Sequence, residues 1–212
     1  MATTPRHGLP YIYATWLTKV IAGDEQCTYQ PWFKAHFRYE KKADPSFDFA
    51  AWTIDHKALV ERHAAGLRAD GWTVTIEDAN AFKLFGKTAL LSGKPDIIAE
   101  RNGEVRVCDA KTGAPRHSDF VQVLIYMLSL LRTRGDIKTL SGAVVYQDRV
   151  VPVTREELTP AMEEKIFAAV RAAAAAEPPE ASPSARGCSF CDIADCRFRV
   201  DEEIPAVMVA EF

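Results

Sequence analysis

A chain of 212 residues, 48% hydrophobic and 10% aromatic, can bury a substantial core and falls within the size range of one domain. Its formal net charge of −3 excludes binding to a polyanion through an overall basic field, leaving only local patches at residues 34–42, 132–138 and 186–199. The apolar stretch 123–131 is about half of the roughly 20 residues a membrane span needs, and the N-terminus shows no export pattern, so a cytoplasmic protein is expected.

Residues from about 15 to 42 read as a helical N-terminal cap rich in rings (Trp16, Tyr29, Trp32, Phe33, Phe37), with Cys27 between two apolar stretches. From about 51 to 68, His56, Leu59, Val60, His63 and Leu67 recur at helical spacing, and Asp70-Gly71 supplies a stop. Trp72-Thr-Val-Thr-Ile then alternates as a strand, with Glu77 at its end as a reserve acid. The stretch 89–99 reads as extended and leads through Asn102-Gly103, a strong hairpin signal, into a strand carrying Val105, Val107 and Asp109. Ser118 is a good N-cap for a long helix running to Arg134, with Gly135 as its stop, and the nearly continuous apolar sequence of that helix predicts burial against a sheet. Two more strands follow at 141–146 and 150–153, then an alanine-rich helix at about 159–176. Residues 177–187 have the composition of a loop leading to a cysteine cluster.

If Asn102-Gly103 is a two-residue turn, Arg101 faces Glu104, and counting back along the ladder sets Asp96 opposite Asp109. Opposed side chains lie roughly 4.5–5.5 Å apart at Cβ, where like charges destabilise a sheet unless something sits between them, and a divalent cation is the natural occupant. Lys111, two residues beyond Asp109, falls on the same strand face. Hard cations take a few carboxylate oxygens and keep several waters, which suits phosphodiester hydrolysis. A lone Asp-x-Lys is more often an ordinary salt bridge. Here, however, a turn aligns the pair, apolar strands surround it, and Gln122 and Tyr126 share one face of the next helix.

Gly93-Lys-Pro95-Asp96, Asp109-Ala-Lys111-Thr-Gly113 and Gln122-x-x-x-Tyr126 together resemble the RecB-like branch of the PD-(D/E)XK nucleases, over the central third of the chain. The resemblance implies an α/β fold with a restriction-endonuclease-like core: a mixed central sheet flanked by helices, with an N-terminal helical cap and a C-terminal cysteine cluster. It implies that Asp96, Asp109 and the Ala110 carbonyl hold Mg²⁺ or Mn²⁺, with Lys111 as the base-like residue and Gln122 and Tyr126 completing the catalytic set. A helix histidine would be a further ligand. His56 is preferred over His63, since seven helical residues separate the two by roughly 10 Å and both cannot easily serve.

Five cysteines make an odd count, and Cys188-Ser-Phe-Cys191-Asp-Ile-Ala-Asp-Cys196 points to metal or cluster binding more than to disulfides. Cys27 offers a fourth thiolate from far away in sequence, while Cys108 reads as a buried strand residue. This distribution resembles the iron–sulfur members of the RecB-like family, the CRISPR-associated exonucleases and AddB-type nucleases, and implies a 4Fe-4S cluster. The short gap between Cys191 and Cys196 keeps structural Zn²⁺ as the alternative.

The expectation is one nuclease domain over 1–212, with a cap at 1–50, a core at 51–176 and a loop with cysteines at 177–212. It would be a metal-dependent DNA nuclease, an exonuclease on single strands or ends, working in DNA repair, recombination or CRISPR adaptation with protein partners. The alternative is a catalytically silent nucleic-acid-binding scaffold with a structural metal cluster, against which the intact Asp96, Asp109 and Lys111 argue. A redox or zinc-binding regulatory module ranks last, because it leaves those residues unexplained.

Overall fold

A computed structural model describes residues 3–25, 27–44 and 47–200. The chain opens with strands β1 (Thr4–Pro5) and β2 (Tyr11–Tyr13), then helices α1 (Ala14–Ala22) and α2 (Tyr29–His36) and strand β3 (Phe37–Arg38), which pairs back on β1. The single helical cap expected over 15–42 is therefore divided. Gly23 adopts a left-handed φ of 82°, which glycine accepts without a Cβ penalty, and closes α1. Pro31 lies in the first turn of α2, where its missing N–H is not needed, and Phe37 is extended and ends the helix.

Helix α3 (Phe49–Ala69) starts where the Asp48 carboxylate accepts the Ala51 N–H at 2.9 Å, and stops at Asp70-Gly71 as its sequence predicts. Its buried residues are Leu59, Val60, Ala64 and Leu67, so the first turns of α3 have no place in the core. Strand β4 (Thr73–Ile76), a 3₁₀ turn (Glu77–Asn80), and strands β5 (Phe82–Phe85), β6 (Leu90–Gly93), β7 (Ile97–Arg101) and β8 (Glu104–Ala110) follow. The extended stretch expected over 89–99 is two strands in different sheets. It breaks at Lys94-Pro95-Asp96, where proline has no N–H to give to a ladder.

Helix α4 (His117–Thr133) crosses between β8 and β9 (Thr139–Val145), a parallel pair, and β10 (Val150–Val153) completes the main sheet in the order β10-β9-β8-β7-β4. The other neighbours in this sheet are antiparallel, so it is mixed. A smaller sheet, β2-β6-β5, escapes the sequence reading because β2 and β5 are short and half-buried. Helix α4 starts at His117 with Arg116 as its N-cap, two residues before the Ser118 cap that the sequence implies, because the Asp119 carboxylate accepts the Arg116 N–H at 3.0 Å. It ends at Thr133 rather than at a Gly135 stop. Arg134 is extended and clamped by both Glu100 oxygens, at 2.6 and 2.9 Å.

Helix α5 (Pro160–Ala174) begins at the Thr159 hydroxyl, which accepts the Met162 N–H, and ends slightly before the expected 176; α6 (Ala185–Ser189) precedes the cysteines. Alternation along β8 sends Val105 and Val107 into a core with α1, α4 and α5, and Cys108 and Ala110 into a second core beneath α3. Among the described residues, no helix is long and apolar enough to cross a membrane.

Candidate active site

The site lies where β6 and β7 part company. The β7–β8 ladder has the predicted register, Arg101 opposite Glu104 and Ile97 opposite Cys108, so its continuation sets Asp96 against Asp109. The pairing itself ends one residue earlier. Asp96 stands just outside the strand, and its Oδ2 accepts the Ala110 N–H at 2.7 Å. The backbone around it is held by a residue the sequence reading missed. Buried Asn80 donates to the carbonyls of Thr75 and Pro95, at 3.1 Å each, while Thr75 Oγ1 donates to its Oδ1 at 2.6 Å. A polar residue buried in a 3₁₀ turn has no periodic signature, so only its partners reveal it.

Asp109 is 2% exposed. Its Oδ1 accepts from Gln122 Nε2 at 2.8 Å, the same nitrogen donates to Tyr126 Oη at 2.8 Å, and Lys111 Nζ donates to Gln122 Oε1 at 3.1 Å. The helical spacing of Gln122 and Tyr126 thus becomes a direct contact, and Gln122 joins the strand carboxylate, the ammonium and the phenol. Lys111 Nζ also stands 2.6 Å from Asp109 Oδ2. That contact is a charge-assisted pair, so both Asp109 oxygens are engaged, Oδ1 by Gln122 and Oδ2 by Lys111. Burial raises the Asp109 pKa, against the pull of Lys111 and with help from Asp96. Burial opposes the Lys111 ammonium, yet Asp109, Asp119 and Asp96 leave its pKa raised, so it stays protonated. Burial likewise raises the Tyr126 phenol, which remains neutral.

Of the two helix histidines, His56 faces this centre, with Nε2 3.3 Å from Asp96 Oδ2, and the hydrogen bond to Asp96 raises its pKa over the opposing effect of burial. His63, two turns on, points to another surface beside Arg106; its Nε2 is buried without a partner, and burial lowers its pKa. Glu77 borders the same cleft as Asp96 and Asp109, with a left-handed φ of 49° that non-glycine residues seldom adopt. The cleft encloses about 840 Å³.

Outside this cleft, Cys27, Cys188, Cys191 and Cys196 border one small apolar pocket with Tyr29, Ile193 and Phe198. Burial raises the Cys196 pKa, and the neighbouring thiols Cys191, Cys27 and Cys188 raise it further. Arg199 fastens the loop by donating to the carbonyls of Cys188, Cys191 and Ile193 at 2.6, 3.2 and 2.5 Å. Cys108 is wholly buried in β8, and its thiol is pushed up to about 12 by burial, so it is inert packing.

Among the described residues, no three His, Cys, Asp or Glu side chains are gathered tightly enough to hold a metal ion, at either place. The donor chemistry nevertheless fits. The Asp96 and Asp109 carboxylates on one cleft suit a hard divalent cation, and thiols around one apolar pocket suit a thiophilic metal.

Fold and site together define an α/β protein with a mixed sheet, whose acid pair and lysine sit where two strands diverge. The sequence profile of the PD-(D/E)XK nuclease superfamily matches residues 19–196, and the chain belongs to that superfamily. The crystal structure of SSO0001 is similar in fold, with a TM-score of 0.51 and 17% identity over 92% of this chain and 90% of that one. No curated protein matches the chain in sequence.

Proposed function

We propose that the protein is a metal-dependent DNA nuclease of the RecB-like branch, acting as an exonuclease on single strands or free ends in DNA repair, recombination or CRISPR adaptation. The observation that carries this reading is the chain of contacts from Asp109 through Gln122 to Lys111 and Tyr126, in an open cleft that Asp96 and His56 also border. A merely structural salt bridge would not need a second carboxylate, Asp96, and a histidine, His56, bordering the same cleft.

Asp96, Asp109, the Ala110 carbonyl and His56 would hold Mg²⁺ or Mn²⁺. When bound, such a cation supplies Lewis-acid polarisation of a phosphate and lowers the pKa of a water. Lys111, kept protonated by the surrounding carboxylates, orients the nucleophile and stabilises negative charge developing on the phosphate. Gln122 holds the Lys111 ammonium and the Asp109 carboxylate in fixed relation. Tyr126, neutral and anchored on Gln122, closes the inner wall.

Cys27, Cys188, Cys191 and Cys196 would hold a structural 4Fe-4S cluster, with Zn²⁺ as the alternative. Such a group ties the N-terminal cap to the C-terminal loop and closes a long stretch of chain. The cap at 1–50, core at 51–176 and cysteine segment at 177–212 are read as one domain, of which 201–212 lie outside the described residues.

The test is degradation of end-labelled single- and double-stranded DNA by anaerobically purified protein in Mg²⁺, Mn²⁺ or chelator, with Asp109→Ala as control. Cleavage that needs metal and disappears in the variant is the expected result. Absence of cleavage under every condition would favour the silent nucleic-acid-binding scaffold instead.

A further inference from the structure

The first turns of α3 carry rings that the core does not use. Phe49 is 66% exposed and Trp52 36%, and with Phe47 they border the same cleft as Asp96, Asp109 and Lys111. Phe47 and Trp52 precede and follow the Asp48 cap at the spacing of a hydrophobic staple, with ring centroids 6.1 Å apart, so that contact is explained by how the chain enters the helix. Phe49 has no such role. Phe49, Trp52 and His56 lie at i, i+3 and i+7, hence on one helix face. Their rings step inward: Phe49 to Trp52 5.7 Å, Trp52 stacked on His56 at 5.1 Å, and His56 3.3 Å from the Asp96 carboxylate. Tyr13, also exposed and backed by Tyr11 and Trp16 at 5.0 Å each, borders the same cleft from β2.

We infer that this stripe is a base-stacking platform that selects single-stranded DNA and delivers it to the carboxylates. The inference rests on the reading of the cleft as a nucleic-acid site and adds the feature that sets strandedness. An aromatic face meets a base face only where the base is unpaired and unstacked, because a duplex hides its base faces inside the helix. Lys57 and Arg116 border the same cleft and complement a phosphate backbone, as a docking site for an apolar protein segment would not require, while Lys94 on its rim is paired with Asp78 at 2.8 Å. The platform is sequence-tolerant, since every base presents a π face.

The experiment measures fluorescence anisotropy of short labelled oligodeoxynucleotides in chelator, so that nothing is cut. It compares wild type, Phe49→Ala, Trp52→Ala, their double variant and Trp52→Phe, with matched unfolding curves as the control on folding. Ligands are a single strand, the blunt duplex and the same strand bearing a run of abasic sites. The double variant is expected to lose roughly five- to a hundredfold in single-strand affinity with little change on duplex. Trp52→Phe should retain most of the affinity, and wild type should bind the abasic strand about as weakly as the double variant binds the intact one. Equal binding of abasic and intact strands, or unchanged affinity in the double variant, overturns the platform. So does loss of concentration-dependent self-association in the double variant with DNA binding intact, which would make the patch a contact between copies of this chain. Cleavage by wild type with no role for the rings removes the platform alone; stacking without any cleavage removes the nuclease reading alone.

Discussion

Lys111 shows how much one side chain carries in this site. It is the nearest counter-charge to the buried Asp109 and shares Gln122 with it. Lys111→Ala should lower cleavage by roughly 10²–10³-fold, the scale of losing one donor to developing negative charge, while DNA binding in chelator changes little. Parallel loss of binding and cleavage would mean that the lysine acts on ground-state affinity alone. His63 supports a prediction of a different kind. Burial lowers its pKa below the ordinary value of 6.5, so the unfolded chain takes up the proton more readily than the folded one. Its cost to stability is absent well above about pH 6.5, grows as pH falls through that value, and levels off below the folded pKa. Urea midpoints of His63→Gln against wild type between about pH 8 and 5 should show the variant losing less stability on acidification. A variant that loses more stability than wild type on acidification would reverse the assigned sign.

At the scale of elements, helix α4 can approach the sheet closely because β9 carries a glycine at the contact. A Cβ at Gly142 would collide with Val123 Cγ1 and meet Met127 Sδ at 2.9 Å. Gly142→Ala should destabilise the protein by about 1–3 kcal/mol through overpacking, with Val123→Ala in the same chain recovering part of the loss. Chemical denaturation of the single and double variants decides it, and additive losses would place the strain elsewhere. Element boundaries were legible where one residue controls them: Asp70-Gly71 ends α3, and Asn102-Gly103 sets the β7–β8 register. They were misread where a distant partner controls them. The end of α4 depends on Glu100 gripping Arg134, and the split of β6 from β7 depends on two sheets claiming either side of Pro95.

On the scale of the whole molecule, helix α2 and the cysteine loop share a small core of their own, with Tyr29, Trp32 and Phe33 packed on Ile193. Lys34, nearly buried on α2, pairs with Asp192 Oδ1 at 2.6 Å, Tyr39 donates to Asp192 Oδ2 at 3.0 Å, and Trp32 Nε1 donates to the Ala175 carbonyl at 2.8 Å. Removing the cation strands a half-buried carboxylate, so Lys34→Ala should cost about 1–2 kcal/mol, less than a fully buried pair because Asp192 keeps some solvent. Hydrogen exchange should report the loss in 29–39 and 188–199, with β8 and β9 still protected. Equal loss throughout would show that this small core and the sheet unfold as one unit.

Sequence alone determined what a strand period, a helix period and a two-residue turn can determine: Asp96 against Asp109, Lys111 beyond them, and Gln122 above Tyr126. These relations are local, and backbone geometry sets them within a few residues. Only the tertiary structure decided that buried Asn80 braces the Asp96 backbone, that His56, which the resemblance favoured, rather than His63 faces the carboxylates, and that Cys27 borders one pocket with Cys188, Cys191 and Cys196. Each of these depends on how separate elements pack, and packing is set by the shape of the shared core, which no single stretch of chain encodes.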